Sequence, residues 1–163
     1  MKKPTDIKSN DYMPFLNNIK SKIRDARIKA SRSVNTELIQ LYWCIGEAIV
    51  TRQKKLGWGK AVVEKLSKDL IREFPSNKGF SARNLRYMQQ FYIEYQNDTI
   101  LQQLAAEIPW FSNVTIFSKV KGLKARKFYL EATAKLGWSR NILVIQIESQ
   151  AYERQILASK QHN

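Results

Sequence analysis

The fifteen residues KGFSARNLRYMQQFY, Lys78 to Tyr92, hold side chains whose types suit recognition of a polyanion. Arginine can pair with guanine, asparagine or glutamine with adenine, and both arginine and lysine with phosphate. On this reading Lys78, Arg83 and Arg86 contact phosphate or guanine, and Asn84, Tyr87 and Gln90 face bases. Lys60, Lys65 and Lys68, one segment earlier, would steer the DNA backbone. A helix N-terminus in this stretch would add free amides and a favourable dipole, with Lys78 supplying charge beside it.

Two helices must position these groups. Residues 60–74 carry an apolar stripe of Val62, Val63, Leu66, Leu70 and Phe74, and Pro75 with PSNKG ends that helix. Ser81 suits the N-cap of a second helix running to about Tyr95, where its hydroxyl can accept from a first-turn amide. Leu85, Met88, Phe91, Tyr92 and Tyr95 fall on the inner arc of that helix, and Arg83, Tyr87, Gln90 and Glu94 step along the other side. The pair is a helix-turn-helix candidate, although PSNKGF is longer than the usual turn. On helix pattern alone, a DNA-facing side and a plain solvated side are equally supported.

The rest of the chain is read mostly as helix. Leu16, Ile19, Ile23, Ala26 and Ala30 line one face of a first helix, with Lys20, Lys22, Arg24, Arg27, Lys29 and Arg32 elsewhere on it. SVNTE, residues 33–37, predicts a break before a second helix, whose segment LYWCIGEAIV (41–50) is apolar nearly all round and should be deeply buried. Cys44 within it reads as a small core residue. The first helix's stripe is expected to pack on that second helix, with pairing between chains as the other option. ILQQLAAEIPW (100–110) is open between a short helix and an extended loop, since Pro109 biases Ile108 away from helix. SNVTIFSKVKG predicts a short helix stopped by Gly122, and Lys124–Leu136 another with Phe128, Ala132 and Leu136 on one side. SRNILVIQIESQAYERQ fits a strand or a helix, and capping by Ser139 favours the helix. KLGW occurs at 55–58 and again at 135–138, a helix end with glycine in the left-handed position followed by a new helix capped by Gly59 or Ser139. The repeat is either a recurrent joint or a trace of duplication.

Length and composition set the frame. A chain of 163 residues with 44% hydrophobic content and 18 aromatics can bury a core in one domain. The predicted organisation is a flexible tail over 1–10, a helical domain over 11–155 and a tail or linker start over 156–163. No apolar run reaches bilayer length and the first residues lack a signal-peptide core, so the chain reads as a cytoplasmic protein without a membrane partner. The net charge of +14 points to a polyanionic partner. Residues 1–34 and 54–86 each hold nine basic and three acidic side chains, whereas 35–53 hold one basic and two acidic.

Catalytic chemistry finds little support. The lone histidine, His162, is penultimate, and the lone cysteine excludes a multi-cysteine metal site and an internal disulfide. No phosphate loop, zinc spacing or nucleophile elbow occurs. The 14 acids are scattered on helical faces rather than clustered as a metal-dependent nuclease requires. No catalytic residue, metal or cofactor is therefore assigned.

Taken in order, LYWCIGEAIV, GWGKAVVEKLSKDLIREFP, KGFSARNLRYMQQFY, IPW and KARKFYLEATAKLGWSRNILVIQIESQAYERQ closely resemble the N-terminal domain of the bacterial YhcG family, from about Asn35 to Gln155. The resemblance implies a mostly helical DNA-binding module that usually precedes a PD-(D/E)xK nuclease-like domain, which would hold the metal and the catalytic acids. Phe111 and Ser112 stand where many relatives have a Gly-His pair, so a role tied to that histidine has no counterpart here. The expectation is an all-α, multi-helix fold with a helix-turn-helix-like pair that binds DNA and positions a nuclease domain. The alternative is a protein-interaction or homodimerisation module.

Overall fold

The computed structural model describes residues 9–162, and every regular element among them is helical. In chain order these are α1 (Ser9–Leu56), α2 (Ala61–Glu73), a 3-10 turn (Lys78–Phe80), α3 (Ala82–Tyr95), α4 (Thr99–Ala105), α5 (Trp110–Lys119), α6 (Leu123–Leu136), α7 (Arg140–Glu148) and α8 (Ala151–Gln161). The all-α expectation holds. No helix among the described residues is long and apolar enough to cross a membrane. The chain divides between Val34 and Asn35 into two units. Most of the tail expected over 1–10 lies outside the described residues, and α8 occupies most of the stretch expected as a C-terminal tail.

In the unit from Asn35 onward, α3 is the central element. Leu85, Met88, Phe91 and Tyr95 are essentially inaccessible, as their helical spacing predicts. Around Phe91 an aromatic cluster closes, with ring centroids at 5.1 Å to Trp43, 5.5 Å to Tyr95, 5.6 Å to Trp110 and 6.2 Å to Phe117. Edge-on and offset contacts of this kind bury large apolar area while fixing ring orientation. Leu101, Ala105, Ile116, Leu130 and Leu143 complete the core from α4 to α7.

Gly46 sets how closely α1 and α3 meet. A Cβ placed on it would stand 2.1 Å from the Met88 carbonyl oxygen, a backbone atom that cannot swing away. Gly46→Ala is expected to destabilise by about 2 kcal/mol through this overpacking, as a fall in the urea midpoint at unchanged slope. An unshifted midpoint would show that the helices separate at no cost.

Several sequence expectations need correction. The break at 33–37 is absent: α1 runs through it as one helix. None of those residues is glycine or proline, so the propensity cost is a few tenths of a kcal/mol each. Asn35 and Thr36, which could have bonded their own backbone, instead donate to carbonyls elsewhere. Asn35 Nδ2 reaches Ile108 O at 2.9 Å and Thr36 Oγ1 reaches Ala106 O at 3.3 Å. With no break there is no second helix for the Leu16–Ala30 stripe to pack on, and its Ile19 and Ile23 are exposed. LYWCIGEAIV is amphipathic rather than buried all round: Tyr42, Gly46, Ile49 and Val50 face inward, while Leu41, Cys44 and Glu47 are exposed. Cys44 is therefore not a core residue.

The KLGW joints form with Gly57 at φ 64° and Gly137 at φ 65°, both left-handed as predicted. Trp138 packs against the core, and Ser139 caps α7 by accepting from Ile142 N at 3.2 Å. At the first joint Trp58 remains 45% exposed, and Lys60 rather than Gly59 occupies the N-cap position of α2. SRNILVIQIESQAYERQ is two helices, α7 and α8, divided at Gln150 with φ 58°. On α6 the buried residues are Ala125, Arg126, Tyr129, Leu130 and Thr133, and the predicted Leu136 is exposed.

Candidate nucleic-acid interface

The two helices expected to carry recognition, α2 and α3, pack together across the 3-10 turn. Ser67 Oγ on α2 donates to Phe80 O at 2.7 Å, and the Asn77 side chain caps the turn by accepting from Gly79 N at 3.0 Å. Ser81 begins α3 as predicted, its hydroxyl accepting from Asn84 N at 3.1 Å. These bonds fix the entry to α3, so the outward side chains of its first turns project from a rigid base.

Arg83 is exposed. Its Nε and Nη2 donate to the Tyr87 hydroxyl at 3.3 and 3.2 Å, and its guanidinium lies 5.6 Å from that ring's centroid. Tyr87 is half-buried, with its ring against Phe117 at 6.3 Å between centroids. Gln90, one turn further, lines a shallow depression with Glu94, Ser118, Lys121 and Gly122. Arg83, Tyr87 and Gln90 thus form one row on the side of α3 away from Leu85 and Met88.

Arg86 is half-exposed and pairs with Glu64 of α2, so part of its charge is already answered. Lys65 pairs with Asp69 at 3.3 Å across one helical turn, and both are exposed, which makes the pair weak and easily exchanged for a phosphate. Lys60, Lys68 and Lys78 are exposed, at the start of α2, along it and in the 3-10 turn respectively.

Asn84 does not face outward. It is buried, its Nδ2 donates to Gly79 O at 2.7 Å, and its Oδ1 accepts the Trp110 indole N–H at 2.8 Å. Buried and held at both its nitrogen and its oxygen, this amide presents no edge to a base, so the base-facing expectation fails for this residue. The Tyr42 phenol joins the same cluster. Burial pushes its pKa above the ordinary value, and a hydrogen bond with Asn84 pulls in the opposite direction.

Residues 18–154 match the DUF1016 N-terminal domain. The chain belongs to that family. It is also 31% identical over 169 residues to the Escherichia coli (strain K12) protein named "Putative nuclease YhcG", an alignment covering 83% of this chain and 44% of that one. The chain therefore spans less than half the length of this curated relative. No solved structure matches the chain significantly.

Within this DUF1016 N-terminal domain, two stretches behind the resemblance meet in space, since KGFSARN and IPW are joined through the bond between Asn84 and Trp110. The fold also adds residues that sequence reasoning passed over. Lys121 reaches the α3 row only because α5 packs against α3 and turns into α6 beside Gln90. The signal was present in KVKGLKARK, residues 119–127, which hold five basic side chains and no acid. Four of those cations, Lys119, Lys121, Lys124 and Lys127, are exposed, while Arg126 is buried. Lys127 pairs with Glu131 at 3.8 Å.

Proposed function

We propose that this DUF1016 N-terminal domain binds duplex DNA with the outer row of α3 and the α5–α6 turn. Its role is to place an associated nuclease domain on that DNA, and the chain itself carries no catalysis. The observation that supports the reading best is the α3 row Arg83, Tyr87 and Gln90 with Lys121 of the α5–α6 turn beside it, which gathers guanidinium, phenol, amide and ammonium groups on one face. Arg83 and Lys121 would neutralise phosphates, and Gln90 would reach a base edge or a phosphate oxygen. Lys60, Lys65, Lys68 and Lys78 on the neighbouring α2 and 3-10 turn would extend the contact along the backbone. The nuclease association rests on the printed name of the relative and on the length that it has beyond this domain.

Anisotropy of a labelled short duplex, titrated between about 50 and 200 mM salt, tests this. Log K is expected to fall linearly with log salt, and Arg83→Ala and Lys121→Ala should each flatten the slope by about one. Arg86→Ala should change it less, because Glu64 already shares that charge. Absence of binding at low salt, or an Arg83→Ala/Arg86→Ala pair that binds as the parent does, would sink the proposal.

A further inference from the structure

The first part of α1, up to Val34, belongs to a unit of its own and contributes none of the residues assigned to DNA. Tyr12, Leu16, Ile19, Ile23, Ala26 and Ala30 recur at alternating steps of four and three residues. That is the a/d pattern of a coiled-coil seam, with Leu16, Ile23 and Ala30 at a and Ile19 and Ala26 at d. Ile19 is 38% and Ile23 47% exposed, so the seam is open.

The flanks of the seam identify its partner. In this register the e and g positions between Leu16 and Ala30 are Lys20, Lys22, Arg27 and Lys29, all basic and all exposed. A second copy of the same helix would bring lysine and arginine against lysine and arginine, whether the pair ran parallel or antiparallel. Like charges flanking a seam disfavour that pairing, and opposite charges specify it. The single acid in this stretch, Asp25, sits at a c position, away from the seam.

The stripe is also too narrow for a lipid surface. An interfacial helix presents a broad face of large apolar groups, whereas here the second half of the seam is Ala26 and Ala30. Small residues at a and d let another helix approach closely and offer little area to a bilayer. Duplex DNA would answer the cations but leave Ile19 and Ile23 exposed.

We infer that α1 between Leu16 and Ala30 docks an acidic amphipathic helix of a partner protein, with apolar residues at its a and d positions and Glu or Asp at e and g. The contact spans little more than two heptads, so it is a reversible docking site rather than a permanent assembly.

A labelled synthetic helix about three heptads long, with Leu at a and d and Glu at e and g, tests the inference against the full chain. The comparator has Lys at e and g. The parent should bind the Glu peptide at least about tenfold more tightly than the Lys peptide, with the preference shrinking as salt rises. Lys20→Glu/Lys22→Glu/Arg27→Glu/Lys29→Glu should invert the preference, a gain that a misfolded variant cannot produce. Ile19→Asp/Ile23→Asp should abolish binding of both peptides. Equal affinity for the two peptides, or no binding of either, would overturn the inference. So would a response of this segment to anionic vesicles or duplex DNA with none to the Glu peptide. The α3 variant Arg83→Ala should leave peptide binding unchanged, which keeps this result separate from the DNA-binding proposal.

Discussion

Arg126→Ala should destabilise the protein by about 4 kcal/mol, as expected when one partner of a buried ion pair is removed, and lower the melting midpoint by roughly 10 °C. Arg126 is 6% exposed, and each of its three guanidinium nitrogens donates one hydrogen bond within the fold. Nε donates to Val120 O at 2.7 Å, Nη2 to Phe117 O at 3.2 Å and Nη1 to Glu94 Oε2 at 2.6 Å. Phe117 and Val120 lie at the C-terminal end of α5, where carbonyls lack intrahelical partners and a cation is favoured by the dipole. Glu94 belongs to α3, so this one side chain joins α3, α5 and α6. Alanine would leave two carbonyls unpaired and strand a partly buried carboxylate. Glu94→Gln should therefore recover part of the loss in the Arg126→Ala background, and a double-mutant cycle in urea would measure the coupling. A loss below about 1 kcal/mol would mean that water replaces the guanidinium freely, against the burial observed.

Asn84→Ala should cost about 3 kcal/mol while leaving DNA affinity intact. Removing the amide strands the buried Trp110 indole N–H and the part-buried Gly79 carbonyl together, and a buried orphan costs about 1–3 kcal/mol. Trp110→Phe deletes one of these partners, so the two substitutions should combine to less than their sum. Equilibrium unfolding of the singles and the double, beside duplex binding well below the midpoint, checks both halves. Retained stability with lost DNA affinity in Asn84→Ala would mean that the amide faces the ligand rather than Trp110 and Gly79.

These two residues show what the sequence makes legible and what it hides. Ser81 as a cap and Leu85, Met88 and Phe91 as the inner line of α3 follow from spacing and hold in three dimensions. Asn84 stands four residues before Met88 and seven before Phe91, on the same inner line, but its polar type invites an outward placement. Arg126 likewise shares a line with Tyr129, Leu130 and Thr133, and only the burial of that line explains an arginine on it. In both cases the spacing carried the answer and the residue type argued against it. The continuity of α1 was hidden for a different reason: whether Asn35 and Thr36 turn on their own backbone or outward depends on the Ala106 and Ile108 carbonyls, far away in sequence. The meeting of Lys121 with Gln90 is also non-local, so residue types in the α3 stretch could suggest the interface but not its full membership.

The proposed interface is tested most directly by titrating the ¹⁵N-labelled chain with a short duplex at low salt and following backbone amide shifts. Progressive changes are expected at Arg83, Tyr87, Gln90 and residues 118–122, with α8 (Ala151–Gln161) silent. Shifts confined to residues 20–32 of α1, or no shifts at all, would contradict it.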